Sequence, residues 1–234
     1  MNFSKKDCLV IFLYIALIAV QFYGLDLLHL SETGLQTMRL VIILLNAFIV
    51  LYAYKGVLSA DWKDFRQRKW TKWLIIAGSF IVVTCLISLI RNMIGHHEIE
   101  AAALEATASS GETNAIKSLS SYAFTLSLIA LFIPLLSSVT EEIMFRYVFM
   151  FKHSKFKVLQ YTMLLLSSVA FGLIHYLARG SVAATIPYIF AGLLFGSLYL
   201  WKKNIWYNIF THMLFNGINM VMALFGTLFQ RFAG

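Results

Sequence analysis

Three long apolar segments of this chain carry charged or polar side chains in their interior. They are Glu141, Glu142 and Arg146 in one segment, His175 in the next, and His212 with Asn216 in the last. Carboxylates and imidazoles are the side chains that most often move protons in enzymes, and the same groups bind zinc. The residue types therefore predict acid–base chemistry inside an apolar environment, with or without a metal ion.

Charged side chains inside apolar helices are energetically unfavourable unless they are paired or functional. A charge at the centre of a membrane helix costs about 2.5–3.5 kcal/mol, so three full charges cost about 8 kcal/mol before any pairing. Charged side chains in membrane helices usually face the bundle interior or a wet cavity, where they pair or act. We therefore expect the six residues to face one another inside a helical bundle.

Their spacing suggests different roles for the two carboxylates. Glu142 and Arg146 are four residues apart with the acid first, which is the favourable order for an ion pair on one helix face. Glu141 lies about 100° further around the helix, so it stays free of that pair. Glu141 is therefore the candidate general base. The purely structural alternatives are a stabilising Glu142–Arg146 pair, histidines bonded to neighbouring helices, and Asn216 as a contact between helices.

Composition places these segments in a membrane. The chain is 60% apolar and 13% charged, whereas a soluble domain is about 45–50% apolar and about 25% charged. Each apolar run approaches the ~20 residues that cross a bilayer, and none alternates as membrane β-strands do. We predict an all-α, polytopic transmembrane bundle of about seven spans, or eight with a re-entrant or extra segment. The predicted spans are residues 8–28, 36–58, 72–94, 121–151, 158–178, 182–201 and 205–229.

The charged residues between the spans predict the orientation. The net charge is +8, and basic residues cluster at helix ends, as in residues 60–72 and at Lys202 and Lys203. The positive-inside rule places these ends and the N-terminus in the cytosol, with the acidic segment 96–117 outside. We therefore expect a multi-pass protein of a cell membrane, from its compactness a bacterial plasma membrane, in contact with anionic lipid. Nucleic acid is not an expected partner, and the oligomeric state is left open.

Two further expectations concern residues 60–72 and the depth of the site. Residues 60–72 alternate aromatic and charged side chains, which predicts a short amphipathic helix in the cytosolic interface. Counting from the basic ends at 1.5 Å per residue places Glu141 roughly 16 Å deep and His212 roughly 13 Å deep, which favours access from the cytosolic half. His175 comes out at roughly 27 Å, unless its helix tilts or begins later than residue 158.

The motifs resemble a known family. Residues 141–146, EEIMFR, are similar to the EExxxR motif of the CAAX-protease and bacteriocin-processing family of intramembrane proteases, also called the Abi or type II CAAX prenyl endopeptidases. Phe171 to His175 matches the FxxxH motif, and His212 to Asn216 matches HxxxN. The resemblance covers roughly residues 120–220, and we divide the chain into N-terminal helices with an acidic loop (1–119) and a catalytic core (120–230).

The resemblance implies peptide-bond hydrolysis inside the membrane. Glu141 would activate water with help from His175, His212 and Asn216 would stabilise the oxyanion, and Glu142, Arg146 and Phe171 would support the site. The family has been described both as metal-dependent and as glutamate-dependent. Zinc held by Glu141, His175 and His212 and a metal-free glutamate mechanism therefore both stay open.

The predicted function is an intramembrane endopeptidase acting on a membrane-associated peptide or protein. By the resemblance, the substrate is a bacteriocin or pheromone leader, or a substrate of the CAAX type. The first alternative is a non-catalytic immunity or scaffold protein that binds a peptide or a sensor kinase on the same fold. A proton or solute transporter is the second, because intramembrane Glu and His also form proton relays.

Overall fold

The computed structural model describes residues 4–94, 116, 119–150 and 156–232. All regular elements in these residues are helices, which confirms the predicted all-α bundle. Most of the acidic segment 96–117 lies outside the described residues, as do Lys152 and Lys155. The helices are α1 (Lys5–Ala19), α2 (Glu32–Gln67), α3 (Thr71–Ile94), α4 (Ser121–Ala130), α5 (Ile133–Glu142), α6 (Lys157–Arg179), α7 (Val182–Lys202) and α8 (Ile205–Phe232).

Two of these helices continue in wider or tighter turns. A π-helical turn and a short 3-10 helix extend α1 to Leu28, and a π-helical turn at Ile143–Val148 extends α5. With these extensions, and with α4 and α5 taken together, the described chain has seven helical stretches long and apolar enough to cross a membrane. This agrees with the predicted number of spans.

The predicted fourth span is broken in its middle. α4 ends at Ala130, and α5 begins at Ile133 with Pro134 in its first turn. Proline is tolerated there because the first turn has no hydrogen-bond acceptor for its missing N–H. The break is followed by the π-helical turn that contains Arg146. A π-helical turn is rare and often accompanies functional residues, since it changes the direction of the side chains that follow it.

The predicted interfacial helix over residues 60–72 is wrong. Residues 60–67 continue α2 without a break. Phe65 is buried against Tyr207 and Phe210, with ring centres 5.2 and 5.4 Å apart. Asp61 accepts a hydrogen bond of 2.8 Å from the Ile205 backbone N–H and so caps the start of α8. Asp61 and Phe65 thus fix the end of α2 to α8.

Glycines allow α6 and α7 to pack closely, and these helices carry His175 and the aromatic residues around the site. A Cβ at Gly192 would lie 2.9 Å from the Cα atom of Ser168 on α6. Real Cβ atoms do not approach backbone this closely, so only glycine fits at this crossing. At Gly192 a small residue thus allows two membrane helices to approach closely.

Replacing Gly192 with alanine tests this packing. Gly192→Ala should lower the free energy of unfolding by about 1–3 kcal/mol, because the methyl group forces the two backbones apart. Thermal unfolding in detergent measures the effect. Gly56→Ala on α2 is the matched control, since a Cβ there meets nothing within 4 Å. Equal stability of the two variants would contradict the close crossing.

Candidate active site

Glu142 lies at the centre of the candidate site and is fully buried. Its Oε2 atom is 3.1 Å from Nε of Arg146 and accepts a hydrogen bond of 3.2 Å from Nδ2 of Asn208. Its Oε1 atom accepts a hydrogen bond of 3.0 Å from Nδ1 of His212. The predicted Glu142–Arg146 pair is therefore present, and the same carboxylate also holds the histidine of α8.

Arg146 is fully buried as well, and aromatic rings surround its charge. Its guanidinium carbon lies 4.8 Å from the centre of the Phe171 ring and 5.7 Å from that of Phe195. Nη1 lies 3.4 Å from Oγ of Ser167, whose hydroxyl donates to the Phe145 carbonyl. Cation–π contacts of this kind are strong when they are desolvated. Arg146 thus joins the turn after α5 to α6 and α7.

Glu141 faces away from this pair and lines a cavity, as its position on the helix predicts. Its side chain is 17% exposed, whereas that of Glu142 is 0% exposed. Oε2 of Glu141 lies 3.8 Å from Nε2 of His212, which is too long for a direct hydrogen bond. His212 therefore lies between the two carboxylates, bonded to Glu142 through Nδ1 and adjacent to Glu141 through Nε2.

His175 lies one helical turn beyond Phe171, and the Phe171 ring contacts both histidines. The ring centres of Phe171 and His175 are 4.9 Å apart, and those of Phe171 and His212 are 5.8 Å apart. Nδ1 of His175 lies 2.7 Å from the Phe171 carbonyl oxygen. Because a carbonyl only accepts hydrogen bonds, Nδ1 carries the proton and Nε2 is the acceptor nitrogen of the neutral ring. The His175 ring also stacks on Tyr188, with ring centres 4.0 Å apart.

The predicted depth mismatch of His175 has a structural basis. α6 begins at Lys157, so a later helix start does not explain it. Phe171 is the α6 residue level with His212, and His175 lies one turn further along, about 6 Å at the helical rise. His175 therefore lies about one helical turn further from the basic helix ends than His212 does.

Asn216 lines the same cavity as Glu141 and His175. Its Nδ2 atom donates to the Pro134 carbonyl at 3.1 Å and to Oγ of Ser138 at 3.0 Å. An amide nitrogen has two hydrogens, so both are used in these bonds. Asn216 thus connects α8 to α5 in this conformation, and its role as an oxyanion donor stays a prediction.

The predicted zinc ligands do not form a metal site in this arrangement. Within the described part of the chain, no group of three or more His, Cys, Asp or Glu side chains is placed to hold a metal ion. The Phe171 ring contacts both imidazoles, and Nδ1 of each histidine is engaged, which leaves Nε2 as the nitrogen that could bind an ion. A shared ion at Glu141, His175 and His212 would therefore require these three side chains to lie closer together than they do in this conformation, and no chemical step is derived from one.

The cavity in front of Glu141 has a volume of about 600 Å³ and extends away from the basic helix ends. α3 begins at Thr71 and reaches the cavity at Arg91, about 30 Å along its axis. α6 begins at Lys157 and reaches it at His175, about 27 Å along its axis. α8 contributes residues from the middle of its length. The cavity thus lies on the side of the bundle opposite the basic ends.

This direction corrects the expectation about access. The depths of Glu141 and His212 favoured access from the basic, cytosolic half. The cavity instead reaches Glu141 from the half that contains the last turns of α3 and α6. Under the predicted orientation this is the extracytosolic half. Depth along single helices could not reveal it, because the basic end is filled by the aromatic contacts of Phe65, Tyr207 and Phe210.

Sequence reasoning missed two polar residues of the site. Asn208 is buried, and besides Glu142 its Nδ2 contacts the Phe195 carbonyl at 2.5 Å. It precedes His212 by four residues, so a polar stripe at 208, 212 and 216 could have revealed it. Arg91 in the third span was not singled out. A single cation near a helix end usually reaches the membrane interface. The sequence therefore contains no signal that Arg91 lines the cavity.

Comparison with known proteins supports the motif assignment. Residues 123–218 match the family described as Type II CAAX prenyl endopeptidase Rce1-like. Neither a curated protein nor a solved structure matches the chain. The matched residues run from α4 to the middle of α8 and contain all three motifs. Residues 123–218 therefore match a domain of the Rce1-like type II CAAX prenyl endopeptidase family, and this match supports an intramembrane protease at family level.

Proposed function

We propose that this chain is a glutamate-dependent intramembrane endopeptidase that cleaves a membrane-associated peptide or protein. The observation that carries the proposal is the different placement of two neighbouring carboxylates. Glu142 is fully buried and contacts three polar side chains, whereas Glu141 lies 3.8 Å from His212 and lines a cavity that His175 also lines. A carboxylate that faces a cavity is able to accept a proton from a bound molecule.

Glu141 is the general base of this mechanism. Its carboxylate accepts a proton from a water molecule as the water oxygen attacks the carbonyl carbon of the scissile peptide bond. Nε2 of His175, the acceptor nitrogen of that ring, accepts the second hydrogen bond of the water. Two acceptors orient the water so that its lone pair points at the carbonyl carbon, and this orientation lowers the entropic part of the barrier.

His212 stabilises the negative charge that develops on the carbonyl oxygen. Nδ1 of the ring donates to Glu142, so a protonated ring presents Nε2–H towards the cavity side of Glu141. The Glu142 carboxylate orients the ring and stabilises its positive charge, as the carboxylate does in a serine-protease triad. Asn216 adds a second donor if its amide rotates away from Pro134 and Ser138 when substrate binds.

The carbon–nitrogen bond breaks in the second step. The tetrahedral intermediate collapses to a carboxylic acid, and Glu141 returns its proton to the departing nitrogen, so that the carboxylate is regenerated. The substrate class remains that of the sequence prediction: a bacteriocin or pheromone leader, or a CAAX-type substrate. The cavity direction supports entry from the side opposite the basic helix ends.

Glu141→Gln tests the general base. The amide keeps the shape of the side chain but cannot accept the proton, so we expect a loss of at least about 100-fold in cleavage rate. The assay uses liposomes that contain the protein and a library of acyl-anchored peptides with randomised central residues, read by mass spectrometry. Cleavage that persists in Glu141→Gln and is absent from empty liposomes would overturn the assignment.

Glu142→Gln is the matched comparison, because it makes the same chemical change at the next residue. Removing this carboxylate leaves Arg146 buried without its counter-charge, so we expect a loss of about 3–5 kcal/mol in stability as well as of activity. Glu141→Gln should unfold near the wild-type temperature. Thermal unfolding in detergent distinguishes the two variants, and equal stability would contradict the separate roles.

A metal-free mechanism predicts that chelation has no effect. EDTA or 1,10-phenanthroline should leave the cleavage rate unchanged, since no step passes through an ion. A zinc-dependent peptidase treated in parallel shows that the chelator is effective in liposomes. Loss of activity that added zinc restores, together with zinc in the purified protein, would overturn the glutamate-only mechanism and require a rearranged site.

A further inference from the structure

The cavity in front of Glu141 contains one cation among its lining residues, Arg91 of α3. This side chain is half-buried in the last turn of α3. Its Nη2 atom lies 3.5 Å from the hydroxyl of Tyr188, and the Tyr188 ring stacks on His175 with an angle of 14° between the rings. A single aromatic ring therefore separates the cation from an imidazole of the candidate site.

The positive charge of Arg91 is not neutralised within the described residues. No ion pair joins it to a described carboxylate, since the ion pairs of the site belong to Arg146 and His212. The contact with Tyr188 is long for a hydrogen bond. The other polar residues on this side of the cavity include the neutral amides Gln21, Asn46 and Asn219. Within the described residues, the guanidinium therefore lines the cavity with most of its donors available.

A guanidinium in such a place favours one ligand chemistry. Its five N–H donors form a planar fork that matches the two oxygens of a carboxylate, and paired bonds of this kind are among the strongest that neutral or charged side chains make. Exclusion of water strengthens the attraction further. Glu141, the other charged group of the lining, repels a carboxylate. The two charges thus favour opposite ends of a bound peptide.

We propose that Arg91 binds a carboxylate of the peptide substrate and so determines which peptides are cleaved and in which direction they lie. This inference rests on the proposed peptidase function. The carboxylate belongs either to the C-terminus of the peptide or to an Asp or Glu side chain. Its position at Arg91 leaves the scissile carbonyl near Glu141 and His175, with Tyr188 between the two subsites.

The experiment uses a peptide that the wild-type protein cleaves, chosen from the acyl-anchored library. Three forms are compared: the free C-terminal acid, the C-terminal amide, and the amide with one added Glu near the C-terminus. Cleavage is measured with the wild-type protein as kcat/KM. Binding of the same labelled peptides is measured by fluorescence anisotropy with the Glu141→Gln protein, which does not depend on turnover.

We expect the two carboxylate sources to be distinguished by the forms of the peptide. A preference for the free acid over the amide of roughly 10- to 100-fold identifies the C-terminus as the ligand. If the amide with the added Glu is cleaved as well as the free acid, a side-chain carboxylate also serves as the ligand of Arg91. Arg91→Gln should abolish the preference in both cleavage and binding, and Arg91→Lys should retain part of it. Lys55→Gln, which removes an exposed cation of α2, should retain all of it.

The failure of this inference is separable from that of the proposed function. Equal treatment of acid and amide by an active wild-type protein, or a preference that persists in Arg91→Gln, overturns the role of Arg91 alone. If Arg91→Gln lowers kcat/KM equally for the acid and the amide, Arg91 has a structural role, and this result also overturns the inference. If no peptide of the library is cleaved, the three forms are made of a library peptide that the Glu141→Gln protein binds. Carboxylate-dependent binding that Arg91→Gln removes then overturns the peptidase function and leaves the carboxylate site.

Discussion

The buried ion pair between Glu142 and Arg146 is the interaction on which the rest of the site depends. Both side chains are fully buried, and their oxygen and nitrogen atoms are 3.1 Å apart. Removing two charges from water costs several kcal/mol each, and the attraction between them compensates only when further contacts are made. Here Asn208 and His212 bind the carboxylate, while Phe171 and Phe195 surround the guanidinium. The pair thus brings α5, α6, α7 and α8 to one point.

This dependence explains why the site and the helix packing cannot be separated. Gly192 lets the backbone of α7 approach Ser168 of α6, and that approach brings Phe195 against both Arg146 and His212. A small displacement of α7 would separate the aromatic rings from the guanidinium and expose an uncompensated charge. Close packing in lipid gains little from the hydrophobic effect, because lipid tails are also apolar. The polar network therefore contributes to holding the four helices in place.

Features that depend on one helix could be predicted from the sequence, and features that depend on two could not. The Glu142–Arg146 pair follows from a spacing of four residues, and the outward position of Glu141 follows from the helical angle. The bond from Glu142 to His212 requires the rotation of α8 relative to α5, and no local pattern encodes that rotation. The family motifs predicted which residues form the site, but they did not indicate that the Phe171 ring contacts both imidazoles.

The wrong prediction over residues 60–72 and the omission of Arg91 have a common cause. Alternating aromatic and charged residues fit a lipid interface and a contact between two helices of one chain equally well. Asp61 and Phe65 form a contact between helices. A lone arginine near a helix end fits the interface and a cavity equally well, and Arg91 lies in the cavity. In both cases the residue types are compatible with two environments. The neighbouring helices determine which environment the side chain occupies.

The position of Phe171 limits the chemistry that the two histidines can share. Its ring contacts both imidazoles, and its carbonyl fixes the proton of His175 on Nδ1. The His175 ring therefore presents an acceptor nitrogen. The ring of His212, whose Nδ1 faces the Glu142 carboxylate, is stabilised as a donor when it is protonated. An acceptor for water and a donor for an oxyanion are the two complementary functions that hydrolysis needs on either side of a carbonyl group. The Phe171 ring contacts both imidazoles, so a single apolar side chain positions the acceptor and the donor relative to each other.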